Sequence, residues 1–205
     1  MQSFSNERQH RGPEGDDLAR ARSILLGILS VAVAVLVVTG IALFFLYRPT
    51  TRQAWPGLLT ESYEWDVRVS SGLRLIHRLA AWLAVPTAIA TGVVVAMGRS
   101  PTASRWTGSA LGAGIPITTL AASFTGFLLP WDQLALSAVT VGSHVRGYRV
   151  LFDPVVRFVL IGGVEVSPQT LNRWLLLHML FLGPALVALV GLGWRRQRAV
   201  VAAGQ

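Results

Sequence analysis

The chain has 205 residues, of which 52% are hydrophobic and 14% charged, where a soluble domain carries about 25% charged residues. It has no cysteine, which excludes disulfides, thiolate metal sites, iron–sulfur clusters and thioether-linked haem. All 18 basic residues are arginine and the net charge is +8. These arginines flank apolar runs and form no continuous basic face, so nucleic-acid binding is set aside.

Residues 1–22 are polar and of mixed charge, the composition of a partly disordered tail. Four uncharged apolar stretches follow, each near the roughly 20 residues that cross a bilayer core. They run from Ile24 to Leu46, Leu79 to Met97, Trp106 to Trp131 and Trp174 to Trp194. A polar entry, Gly72 to Arg78, leads into the second. In lipid each stretch must be a helix, because a helix satisfies its own backbone hydrogen bonds. Pro86 and Pro184 are expected to kink the second and fourth, and Trp106, Trp131, Trp174 and Trp194 to sit at the interfaces. The first run lacks a cleavage site before Arg48 and reads as a retained span.

Four spans put both termini on one side. Arg20, Arg22, Arg99, Arg105, Arg195, Arg196 and Arg198 crowd the helix ends of that side, which predicts cytoplasmic termini in a bacterial plasma membrane. The loop from Asp132 to Arg173 is long, and Pro154–Leu160 reads as a short amphipathic helix on the membrane surface. The expected architecture is an all-α integral membrane protein: a four-helix bundle with short surface helices between helices 3 and 4. The expected organisation is a tail at 1–22, a membrane domain at 23–198 and a short tail at 199–205. No internal repeat is present.

Ionisable residues inside spans are functional candidates, since burying them in lipid costs several kcal/mol. His77 and His178 each lie about one turn inside a helix that enters from the same side. At matched depth, two imidazoles can hold one metal porphyrin between them. Two histidines alone fit cross-helix hydrogen bonding equally well. His10 and His144 belong to tail and loop. The first helix carries Gly27 and Gly40, and the third Gly112 and Gly126. Such glycines permit close helix packing, but paired spacings of 13 and 14 residues also suit thin walls beside two stacked flat cofactors.

Four segments, in order, resemble the cytochrome b family: TGIALFFLYRPT (39–50), LIHRLAAW (75–82), ASFTGFLLPWDQ (122–133) and VLIGGVEVSPQTLNRWLLLH (159–178). The resemblance is to its N-terminal four-helix half, and in length to cytochrome b6, over residues 24 to about 195. It implies that His77 and His178 are the axial ligands of one non-covalent haem b near the outer face. It implies further that Arg78 contacts a haem propionate and that Gly40 and Gly126 let the haem pack between helices. The segment from Asp153 to Arg173 resembles the surface helices that roof an outer quinol site.

The departures are as telling. The family's second histidine on the second helix falls fourteen residues after the first, where this chain has Thr91. On the fourth helix it falls fourteen or fifteen residues on, at Leu192 or Gly193. The inner haem should therefore be absent, leaving an inner slot walled by Gly27 and Gly112 that holds a quinone or other ligand or is filled by side chains. The quinol-site motif of the family's C-terminal half is also missing from this chain.

The resemblance thus implies a single-haem b-type cytochrome, an electron-transfer subunit of a quinol-linked oxidoreductase complex. It would link the quinone pool to an outer-face partner: a Rieske protein, a c-type cytochrome or a molybdoenzyme. The alternative is the b6-like half of a split cytochrome bc-type complex with a subunit IV-like protein and a Rieske protein. A third reading is a non-redox membrane anchor or assembly subunit.

Overall fold

A computed structural model describes residues 13–47, 64–97, 105–141 and 167–202. The described residues are almost all helical, with a short turn at 129–132 and no strand among them. The elements are α1 (Pro13–Leu46), α2 (Glu64–Met97), α3 (Arg105–Leu128), α4 (Gln133–Val141) and α5 (Pro168–Leu176). A π-helical turn (Leu177–Leu182) then leads into α6 (Gly183–Ala202), so that α5, the π turn and α6 form one continuous fourth membrane helix.

Among the described residues, four segments are long and apolar enough to cross a membrane: Asp17–Leu46, Val69–Met97, Trp106–Leu128 and Pro168–Ala199. The chain is an integral membrane protein. Its helices extend past the apolar runs. The first starts at Pro13, ahead of the expected tail boundary, and the second takes in the polar entry from Glu64 onward. The large side chains turned outward, among them Phe45, Trp82 and Trp106, would be costly to expose to water and are suited to lipid.

Hydroxyl groups in these apolar helices are satisfied locally. Ser30, Thr87, Thr91 and Thr119 each donate to the carbonyl four residues earlier, at 2.6–2.8 Å, which removes the need for a water partner. Pro86 lies inside α2 and Pro116 inside α3. Pro184 has no N–H to return to Leu180, and the wider π turn immediately before it gives the ring room.

The helices divide into two compact units, Val37–Arg78 with Ala121–Gly183, and Met1–Leu36 with Leu79–Leu120 and Pro184–Gln205. The first unit contains both candidate histidines. At its edge, α3 stops at Leu128, and Pro130 cannot continue the helical ladder. Trp131 then takes a left-handed backbone (φ 51°), and the Asp132 carboxylate accepts the Ala135 N–H at 2.8 Å to cap α4. The left-handed residue, unfavourable for a side chain with a Cβ, places Trp131 against Trp174 with ring centroids 6.0 Å apart. Leu128, Ala135, Leu171 and Trp174 form the apolar core here, with Tyr47 and Leu129 packed on it. Trp174 is 5% exposed. It is a core residue of this unit and not the interfacial belt residue that its position at a span end suggests.

The second unit is built around Leu29, Ala32, Val33, Ala84, Ala88, Ile115, Leu186 and Val190. Near one end the Arg22 guanidinium donates to the Gln197 side-chain carbonyl. The Gln197 amide donates to Ala19 O (3.0 Å) and to Ser23 Oγ (2.6 Å), tying α6 to α1. Trp194 donates its indole N–H to Ser30 Oγ at 2.8 Å. That bond also ties α6 to α1. The Arg196 guanidinium lies directly over Gly108, in space that any side chain there would take.

Candidate haem site

His77 on α2 and His178 in the π turn face each other, with ring centroids 6.3 Å apart and planes inclined at 56°. A metal–imidazole bond is about 2 Å long. Two such bonds, plus the distance from each nitrogen to its ring centre, come to about 6 Å, so this separation fits one metal ion held between two imidazoles. No group of three or more His, Asp or Glu that could hold a bare ion occurs among the described residues. Two opposed imidazoles are the protein's share of the donor set when a macrocycle supplies the other four ligands.

Each ring is held by a Thr-Gly pair from a neighbouring helix. Thr39 Oγ1 lies 2.8 Å from His77 Nδ1, and Thr125 Oγ1 lies 3.0 Å from His178 Nδ1. The Thr125 hydroxyl also donates to Ala121 O and Ala122 O, both at 3.0 Å. Its proton being committed to the backbone, Thr125 accepts from His178. That assigns the proton to Nδ1 and leaves Nε2 with a lone pair able to coordinate a metal. Thr39 meets the same ring nitrogen of His77.

The glycine after each threonine supplies clearance. A Cβ at Gly40 would stand 3.4 Å from Cε1 of His77, and one at Gly126 would stand 2.9 Å from Cε1 of His178. The glycines expected beside the haem therefore sit edge-on to the two rings. The π turn matters as well. Gly183 N–H returns to His178 O across five residues, so the backbone at His178 belongs to a widened turn, a feature frequent at functional sites.

Arg78 is exposed, while Arg74, one turn before His77 on the same helix, is half-buried. Arg74 lies close enough to act electrostatically on the Tyr47 phenol. Burial pushes that phenol above its ordinary value and the Arg74 charge opposes the shift. Tyr47 donates to Leu129 O at 2.6 Å. Thr39, Thr125 and Arg74 were not singled out from the sequence. An arginine one helical turn from the histidine was a signal; the dipeptide Thr-Gly at 39–40 and 125–126 was not, since it recurs at 91–92 and 107–108.

The residues expected around a second cofactor belong to the other unit. Thr91 is fully buried with its hydroxyl on Thr87 O at 2.7 Å. Gly112 abuts Gly92 and Ala96 of α2, Gly193 is buried, and no atom lies within 4 Å of a Cβ built at Gly27. Leu192 is 46% exposed and does not line the interior. His10, His144, Pro154–Leu160 and most of the Asp153–Arg173 segment lie outside the described residues.

An all-α membrane bundle with one clamped pair of opposed imidazoles defines a membrane cytochrome. The profile of the cytochrome b/b6/petB family matches residues 21–194. The chain is 34% identical over 166 residues to cytochrome b6 of Porphyra purpurea, covering 79% of this chain and 74% of that protein. It is 28% identical over 163 residues to cytochrome b6 of Heliomicrobium gestii, covering 76% and 72%. Against the menaquinol:cytochrome c reductase cytochrome b subunit of Geobacillus thermodenitrificans it is 29% identical over 168 residues, covering 80% and 73%. The chain belongs to the cytochrome b/b6 family and is a haem-b membrane electron-transfer subunit.

Proposed function

We propose that this subunit carries one haem b, ligated by His77 and His178, and exchanges electrons between membrane quinol and a redox partner at the histidine end of the bundle. The observation that carries this reading is the opposed imidazole pair, each ring fixed through Nδ1 by a threonine and cleared by a glycine. A six-coordinate haem supplies reversible one-electron transfer without an open position for substrate. The protein's part is to keep both rings in the tautomer that presents Nε2, and to hold cationic charge close by. Thr39 and Thr125 do the first, and Arg74, with Arg78 further out, does the second. The apolar helix walls exclude water, which strengthens the effect of each charge on the site.

Relatives named as cytochrome b6 and as the cytochrome b subunit of a menaquinol:cytochrome c reductase support quinol as the diffusible partner. They also favour the second reading, the b6-like half of a split complex completed by a subunit IV-like protein and a Rieske protein. A c-type cytochrome or a molybdoenzyme suits the first reading equally. Both readings place the histidine end at the outer face, with cytoplasmic termini.

The test is spectroscopic. A pyridine haemochrome assay against protein concentration should give one haem per chain, and potentiometry a single midpoint. His77→Ala or His178→Ala should abolish the six-coordinate spectrum. Two midpoints, or an unchanged spectrum in either variant, refutes the assignment.

A further inference from the structure

The family resemblance raises the question of what occupies the position of a second haem, and the observations here concern that unit alone. A π turn takes one more residue than an α turn. Beyond the turn at Leu177–Leu182, the position equivalent to a ligand fourteen residues on is thus displaced to the fifteenth, Gly193. Burial agrees, since Gly193 is buried and Leu192 is 46% exposed. The matching position on α2 is Thr91, fully buried, with its hydroxyl spent on its own helix. Neither residue can ligate iron.

The space itself is taken. A Cβ at Gly193 would stand 3.0 Å from Cδ2 of Leu26 and 3.9 Å from Cδ1 of Ile115, and both of those side chains are fully buried. Across the unit, a Cβ at Gly112 would stand 2.8 Å from Gly92 O and 2.9 Å from the Ala96 Cβ. A Cβ at Gly92 would press on Gly112 O and stand 3.0 Å from the Pro116 ring. At this level the backbones of α2 and α3 are in direct contact, so Gly92 and Gly112 are spent on each other. The residues present do not fit a second haem: Thr91 and Gly193 offer iron no ligand, and Leu26 and Ile115 crowd the Gly193 side.

We infer that the protein fills its second cofactor position with its own side chains. Leu26 from α1 seats in the niche left by Gly193 on α6, backed by Ile115, while Gly92 and Gly112 serve helix contact. Gly193 is then one half of a knob-and-hole pair, and its lack of a side chain is required by Leu26, not by a ligand. It follows that a quinone, pigment or lipid bound by this chain does not occupy the Gly193 niche.

The test is a double-mutant cycle in the full-length protein, followed by thermal unfolding in detergent with light scattering as readout. Gly193→Leu should lower the unfolding midpoint by several degrees, because two leucines then compete for one niche. Leu26→Ala should also lower it, by opening a cavity. The double variant Leu26→Ala/Gly193→Leu should recover most of the loss of Gly193→Leu, because the new side chain enters the space that Leu26 gave up. If Gly193→Leu does not accumulate, Gly193→Ala with Leu26→Ala reads the same coupling on a smaller scale. An unperturbed Gly193 variant, or strictly additive losses, overturns the inference. So does a flat ligand that co-purifies with the protein and is released by Gly193→Leu. Protein purified without haem would refute the function proposed above, while the coupling between positions 26 and 193 would still read out.

Discussion

Replacing Gly126 by alanine isolates the clearance beside His178. The new methyl carbon would fall 2.9 Å from Cε1 of His178, against a carbon–carbon optimum of about 3.5–4.0 Å. The ring must therefore retreat by about 0.6 Å, three times the ~0.2 Å within which metal–ligand distances are held. It is also tethered to Thr125 at 3.0 Å, so retreat strains that bond. Disturbing a ligand's support typically weakens metal binding about 10–100-fold, or about 1.4–2.7 kcal/mol. Gly40→Ala is the internal control. Its methyl would lie 3.4 Å from Cε1 of His77, only about 0.1 Å inside the optimum, and its effect on haem binding should be slight. Alanine raises intrinsic helix propensity by about 1 kcal/mol over glycine at either site, so a lost haem cannot be ascribed to a weakened helix. Haem titration into apoprotein in detergent, with circular dichroism to verify helix content, compares the two. Equal losses in both variants, or a neutral Gly126→Ala, would refute the reasoning.

Thr125→Val removes the acceptor from His178 Nδ1–H while keeping the side-chain volume. The imidazole becomes a weaker base toward iron, the oxidised form loses stabilisation, and the midpoint should rise by tens of mV, on a scale of ~59 mV per tenfold change for one electron; a fall or no change would show that Thr125 does not set the tautomer. Arg74→Leu and Arg78→Leu should each lower the midpoint, since removing a nearby positive charge disfavours adding an electron. The larger drop belongs to Arg74, because it is half-buried and Arg78 is exposed; potentiometry showing the reverse order would place Arg78 nearer the propionates.

Much of this architecture was legible in the chain. An apolar run of about 20 residues has one outcome in lipid, because only a helix satisfies its backbone there, and the four runs duly lie in four long helices. The histidines were legible for a related reason: an ionisable group among apolar residues stands out and is costly without a purpose. Their partners were not. A threonine in such a helix ordinarily bonds to its own backbone, as Thr87 and Thr119 do, and nothing local distinguishes these from Thr39 and Thr125, which also meet a histidine. That distinction depends on the azimuths of separate helices, which packing sets.

The same holds for the aromatic residues and the glycines. Trp174 stands at a span end, where indoles favour the interface, but tertiary contacts gave it to the core. Glycine is silent in sequence about what uses its missing side chain: at 40 and 126 a histidine ring, at 92 and 112 the backbone of a neighbouring helix, at 108 a guanidinium, at 193 a leucine. Even the choice between Leu192 and Gly193 turned on one π turn, an inserted residue that no hydrophobic pattern announces. Composition and periodicity determine which segments enter the membrane, because the solvent acts on each residue separately. Which faces meet is decided only in the folded bundle, because close packing acts on pairs of residues far apart in the chain.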